Sequence, residues 1–163
     1  MNTIEGFIKA MTSYGGEEYA TYEAFWNEQN MATFKEWMKR QPKVKRFLYR
    51  GYTFNRQYFE DAGFAVGKVV GMDALTQELS LPSFTTSLMR AVRYITNYGD
   101  VNISDAVRVL FLIEASARAF VDISALSVYP EEQEHKCMDN VRLKVISIKH
   151  KAGSSVQITL KEI

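Results

Sequence analysis

Apolar residues at Ile4, Phe7, Ile8 and Met11 follow the i, i+3, i+4, i+7 spacing that lays one stripe along a helix, and Met31, Phe34, Trp37 and Met38 repeat it. The N-terminal third therefore reads as amphipathic helices divided at Gly15-Gly16. The second run extends back through Tyr19, Tyr22, Phe25 and Trp26, and Pro42 ends it because proline cannot continue a helix. Trp26 and Trp37 are expected in the core rather than as a ligand platform. After Pro42 the texture changes to short apolar runs rich in β-branched and aromatic residues.

Strands are expected over Phe47 to Phe54 (FLYRGYTF) and Val107 to Ile113 (VRVLFLI), and Val141 to Ile148 with Val156 to Leu160 reads as a terminal hairpin turning at Gly153-Ser154. Val156, Ile158 and Leu160 fall on one face of the last strand. Leu88 to Tyr98 carries Ala91, Tyr94 and Ile95 at helical spacing, entered from the polar turn Ser83 to Ser87. Helices first and mostly strands afterwards indicate an α+β chain. GFAVGKVVG, from Gly63 to Gly71, has neither the GxGxxG nor the GxxxxGK[ST] spacing, so it is not read as a phosphate loop.

At 163 residues the chain is the size of one ordinary domain, expected as a helical lobe over 1–42 and a sheet core over 43–163. Its net charge of +1 gives no overall pull toward nucleic acid or membrane. The charge is uneven, however. Lys39, Arg40, Lys43, Lys45, Arg46 and Arg50 make a basic cluster, while the first thirty residues carry five glutamates against Lys9 alone. The lone Cys137 with scattered His135 and His150 makes neither a disulfide nor a structural zinc site, so no metal is expected. The N-terminus lacks the basic and apolar regions of a signal peptide and no stretch approaches a membrane span, so a reducing, cytoplasmic compartment and no membrane partner are expected.

Three places bear chemistry. Arg50 sits inside a strand-like run with Gly51 directly after it; an arginine there grips phosphate through paired hydrogen bonds with a ligand close to the glycine backbone, or it is an ordinary edge-strand cation. The hydroxyls of Ser83-Phe84-Thr85-Thr86-Ser87 brace backbone and ligand, or cap the helix that begins near Leu88. Tyr129-Pro130-Glu131-Glu132-Gln133-Glu134 precedes the final hairpin, and proline disfavours helix there. In an extended segment Glu132 and Glu134 point to one side and converge on a cationic ligand; the alternative is a solvated acidic turn.

Taken in order, YRG, FTTS and ISALSVYPEEQE entering a β-hairpin resemble the R-S-E class of ADP-ribosyltransferases from about residue 47 onward. The resemblance implies two small antiparallel sheets packed across a cleft that binds NAD, with helices on the N-terminal side. It implies that Arg50 contacts the NAD phosphates or nicotinamide ribose, that the Gly51 backbone lies near the carboxamide, and that Thr85, Thr86 and Ser87 fill the family's Ser-Thr-Ser positions. Glu134 becomes the catalytic glutamate at the ribose 2′-hydroxyl, and Glu132 orients an acceptor guanidinium. The sequence departs from the family at Thr85, where serine is usual, and at His135-Lys136-Cys137, where apolar residues usually open a strand.

The implied activity is mono-ADP-ribosylation: NAD is the substrate, nicotinamide is released, and the acceptor is arginine on a target protein. In size and in lacking a secretion signal the chain resembles the Alt and Mod enzymes of T-even phages, which implies a target in host transcription or translation machinery and action in the host cytoplasm. Two alternatives stay open. One is an NAD glycohydrolase passing ADP-ribose to water; the other is a non-catalytic module gripping nucleic acid through the Lys39 to Arg50 cluster.

Overall fold

The computed structural model describes residues 1–78, 81–95 and 104–163. Three helices lead: α1 (Thr3–Ser13), α2 (Tyr19–Tyr22) and α3 (Glu28–Arg40). Asn2 Oδ1 accepts the Glu5 N–H at 2.8 Å to start α1, and Asn27 Oδ1 accepts the Asn30 N–H at 2.8 Å to start α3. The second cap corrects one expectation. Tyr19 to Trp26 is not the beginning of the Met31 helix; it forms α2 and a 3-10 turn over Glu23–Phe25, and the chain starts afresh at Asn27. Phe7, Ile8, Phe34 and Met38 bury the shared face of α1 and α3 together with Val121 and Ile123.

The larger sheet has the order β1-β3-β7-β6-β2, built from β1 (Lys45–Asn55), β2 (Val69–Val70), β3 (Ala106–Ser116), β6 (Leu143–Lys151) and β7 (Ser155–Glu162). The smaller pairs β4 (Phe120–Asp122) with β5 (His135–Cys137). The α+β expectation holds, and the expected strands over 47–54, 107–113 and 156–160 lie inside β1, β3 and β7. The terminal hairpin turns at Gly153 and Ser154, both at positive φ (72° and 59°), although its first strand begins at Leu143 rather than Val141. One pairing differs from an all-antiparallel sheet: β3 and β7 run parallel. Parallel neighbours need a long connection, and residues 117–154 supply it.

Alternation along β3 buries Val107, Val109, Phe111, Ile113 and Ala115, which meet Val156, Ile158 and Leu160 of β7 in the sheet core. Helix α4 (Arg56–Ala62) follows β1 behind an Asn55 cap, and α5 (Leu88–Tyr94) begins at Ser87, whose Oγ accepts the Arg90 N–H at 3.2 Å. The helix expected over 88–98 is thus seen to Tyr94; residues 96–98 lie outside those described.

The feature that positions the site is a two-residue stitch. Tyr49 and Thr85 exchange backbone hydrogen bonds of 2.8 and 2.9 Å, while Phe84 and His135 exchange bonds of 3.0 and 2.8 Å. Residues 84 and 85 therefore tie β1 of one sheet to β5 of the other.

Candidate active site

Around this stitch lies a cavity of about 540 Å³. Arg50, Gly51 and Tyr52 of β1 form its floor, Leu81 to Thr85 one side, Glu132, Glu134 and Lys136 another, and Met11, Thr12, Tyr14 and Trp26 a wall from the helices. Of the residues singled out in the sequence, Arg50, Gly51, Thr85, Glu132 and Glu134 meet here. Thr86 and Ser87 are not among its lining: the Thr86 hydroxyl hydrogen-bonds Gln133 Oε1, and Ser87 caps α5.

Alternation puts Arg50 on the inward face of β1, where it is 7% exposed. Its Nε donates to the Leu75 carbonyl at 2.8 Å, its Nη1 donates to the Ser83 carbonyl at 3.3 Å, and the Tyr52 ring lies 4.5 Å from the guanidinium carbon. Although β1 is an edge strand, Arg50 turns inward rather than reaching into solvent. Gly51 lines the cavity, and the side of its backbone where a Cβ would stand is closed by α5: a Cβ at this position would sit 1.8 Å from the Ala91 carbonyl oxygen.

The acidic segment is not extended as expected. Pro130–Glu132 forms a 3-10 turn with proline at its start, where the missing N–H is no loss and the fixed φ is already helical. Gln133 then takes a left-handed conformation (φ 52°) and redirects the chain into β5. Both carboxylates still line the one cavity, by a reversal of the backbone rather than by strand alternation. Glu132 is half-buried, and burial, followed by the charge of Glu134, raises its carboxyl above the usual range; the nearby Tyr94 hydroxyl and the charge of Arg90 act the other way.

The hydroxyls divide their work. Thr85 Oγ1 donates to the Glu132 carbonyl at 2.7 Å and accepts the Ser87 N–H at 3.1 Å, so it braces the acidic turn rather than a carboxylate. The hydroxyl on Glu134 is that of Ser83, donating to Oε2 at 3.0 Å. The same oxygen meets Lys136 Nζ at 3.0 Å. Sequence reasoning offered Ser83 only as one of the bracing hydroxyls of residues 83–87, ahead of the matched motif, and Lys136 stood out only as a cation where an apolar residue is usual.

His135 is fully buried, with Nδ1 2.8 Å from the Gln133 carbonyl and Nε2 3.2 Å from Arg46 Nη1. These partners assign the proton to Nδ1, which donates to the carbonyl while Nε2 accepts from arginine. Burial is the main cause that pushes its pKa down, and Arg46 adds to it. Beside it, burial pushes the Cys137 thiol up to about 12, which leaves it inert as a nucleophile. The basic cluster is largely spent internally. Lys43 Nζ caps the Met38, Lys39 and Gln41 carbonyls, Lys39 pairs with Glu36, and Arg46 reaches both His135 and Asp122. Among the described residues no group of three His, Cys, Asp or Glu side chains gathers to hold a metal, and no helix is long and apolar enough to cross a membrane.

The fold around this cavity is that of the ADP-ribosyltransferases. Vis toxin, an ADP-ribosyltransferase from Vibrio splendidus, matches over 99% of this chain with a TM-score of 0.64 and 21% identity in its complex with agmatine. C3stau2 from S. aureus, solved with NAD, matches over 99% of this chain and 86% of its own at a TM-score of 0.57 and 12% identity. Exoenzyme S from Pseudomonas aeruginosa, solved with human 14-3-3 protein beta and carba-NAD, matches over 93% of this chain and 63% of its own at 0.55 and 16%. At such identities the likeness is one of fold. The chain spans 66 to 67% of the length of Vis. No protein-family model matches the sequence, and no curated protein does.

Proposed function

We propose that this chain, acting as one unit, is a mono-ADP-ribosyltransferase that cleaves NAD and passes ADP-ribose to a guanidinium acceptor, arginine on a target protein. The observation that carries the reading is the juxtaposition in one cavity of Arg50, held by two carbonyls, with Glu134 and Glu132. The glycosidic bond of NAD breaks with its electron pair leaving on nicotinamide, so positive charge grows on the ribose. Glu134 stabilises that charge and holds the 2′-hydroxyl. Arg50 grips phosphate or ribose oxygens, with the Gly51 backbone beside the carboxamide and Thr85, together with Thr86 and Ser87 behind it, bracing the bound dinucleotide's side of the cleft. Glu132 pairs with the acceptor guanidinium and aims a nitrogen at the ribose carbon, and that nitrogen gives up a proton as its bond to the carbon forms. The complex of Vis with agmatine, a small guanidino compound, supports a guanidinium acceptor.

The test is turnover of NAD with and without agmatine. Glu134→Gln is expected to lower both hydrolysis and transfer by about 100- to 1000-fold while the fold persists. Glu132→Gln is expected to lose transfer and keep slow hydrolysis, because bond cleavage alone needs no partner for a guanidinium. If wild-type protein hydrolyses NAD and never labels agmatine or protein, the chain is an NAD glycohydrolase. The nucleic-acid module is disfavoured by the cluster it relies on, since Lys43 and Arg46 hydrogen-bond within the fold and Arg50 is buried in the cavity rather than presented on the surface.

A further inference from the structure

Lys136 is a lysine with nowhere to go but the cavity wall: its side chain is 3% exposed, and it belongs to β5, whose three residues are all buried. An ammonium has three N–H bonds, and three acceptors surround this one. They are the Leu81 carbonyl at 3.2 Å, Ser83 Oγ at 2.7 Å and Glu134 Oε2 at 3.0 Å. Ser83 in turn donates its own proton to the same Oε2 at 3.0 Å. Both donors thus end on one carboxylate oxygen, and among the described residues none meets Oε1.

We infer that Lys136, with Ser83, is a positioning residue that pins Glu134 by Oε2 and leaves Oε1 to face the substrate. The inference rests on the transferase reading above. A carboxylate on a flexible side chain has to be held in one rotamer if it is to meet a hydroxyl and a developing cation at bonding distance, and misplacement by about 1 Å costs on the order of a hundredfold in rate. The ammonium also opposes Glu134, because a cation beside the carboxylate subtracts from the field that favours a cationic transition state. Position outweighs that loss for a specific reason. Glu132 and Glu134 line one cavity, and the repulsion between them would turn Glu134 away from Glu132 if nothing tied its far oxygen. The buried cation supplies the tie and compensates one of the two charges.

The experiment measures kcat and KM for NAD hydrolysis, the Kd for NAD by calorimetry and the far-UV circular dichroism of wild type, Lys136→Met, Lys136→Arg and Ser83→Ala. Methionine keeps length and apolar stem and removes the donors. Lys136→Met is expected to lower kcat by at least about tenfold with the Kd for NAD changed by less than about threefold, and Lys136→Arg is expected to recover part of the loss. Ser83→Ala is expected to lower kcat by less, with the Kd for NAD again little changed, because Lys136 still holds Oε2. A Lys136→Met protein with wild-type or higher kcat overturns the proposal, showing that the ammonium only subtracts charge. If that variant does not fold, Ser83→Ala decides, and unchanged kcat there overturns it equally. Wild-type protein unable to cleave NAD brings down the transferase reading and this proposal together; wild-type cleavage with indifferent variants brings down this proposal alone.

Discussion

Gly51→Ala adds one methyl group where β1 packs directly against α5. The new Cβ would lie 1.8 Å from the Ala91 carbonyl oxygen, 2.9 Å from its carbon and 2.8 Å from Ile95 Cγ1. Two of these are backbone atoms, so no side chain can swing aside. Ordinary contact begins at 3.4 Å, which requires α5 to retreat by about 1.6 Å, the difference between 3.4 and 1.8 Å. Ala91, fully buried on the inner face of that helix, loses its packing, and overpacking of this kind costs about 1–3 kcal/mol. For a chain of this size that is a fall in Tm of roughly 2–12 °C. The helix also carries Tyr94, which lines the cavity beside Glu132, so NAD turnover is expected to drop with stability. Thermal melts by circular dichroism and an NAD hydrolysis assay read the two effects. A variant with unchanged Tm and unchanged turnover would refute both the close packing of α5 on β1 and the glycine's role in it.

Two further perturbations test how the site is held. Glu162, 2% exposed near the C-terminus, accepts the backbone N–H groups of Ser116 (2.7 Å), Arg118 (3.2 Å) and Ala119 (2.8 Å) across the turn between β3 and β4. Glu162→Ala strands these donors and is expected to cost about 3 kcal/mol in urea unfolding; a loss below about 1 kcal/mol would mean that water replaces the carboxylate. His135 has a pKa lowered in the fold, so as pH falls below about 6.5 the unfolded chain takes a proton that the folded chain resists, and stability declines from there down to the folded pKa. Unfolding free energies measured from pH 7 to pH 5 are expected to slope downward in wild type and to lose that slope in His135→Asn; equal slopes would show that the imidazole is not buried as the neutral form.

The strands and helices were legible where one face is buried and the other wet, because periodicity then records the fold directly. Val156, Ile158 and Leu160 lie buried on one face of β7, and Phe7, Ile8 and Met11 are buried on α1. The motif residues were legible as a set, and five of the seven line one cavity. What escaped has physical causes. The 3-10 turn over Pro130–Glu132 escaped because proline disfavours helix only after its first turn, and Pro130 occupies the first position. The short α2 and the break at Asn27 escaped because aromatic spacing continues across them while a cap is a single side-chain hydrogen bond. The packing of α5 on Gly51 escaped because the sequence records that space is needed and not what fills it. Lys136 was visible only as a misfit, since its acceptors come from residues 53 and 55 positions away in the chain as well as from its near neighbour Glu134.

The N-terminal helices carry no matched motif, yet the acidic turn depends on them. Thr12 Oγ1 accepts the Val128 N–H at 3.1 Å, and Glu18 Oε2 accepts the Tyr129 hydroxyl proton at 2.6 Å, across separations of 116 and 111 residues. From the opposite side Thr85 holds the Glu132 carbonyl and Thr86 reaches Gln133. A turn that presents two like charges to one cavity is pushed apart by its own electrostatics, and local hydrogen bonds within six residues cannot oppose that push because they move with the turn. Restraint has to come from elements fixed elsewhere in the fold. The helices provide it on one side and the stitch at residues 84 and 85 on the other, while Trp26, stacked on Phe7 at 5.5 Å, closes the wall between them. Trp26 is consequently partly buried packing and partly cavity lining, and the helical lobe acts as the frame against which the carboxylates are held.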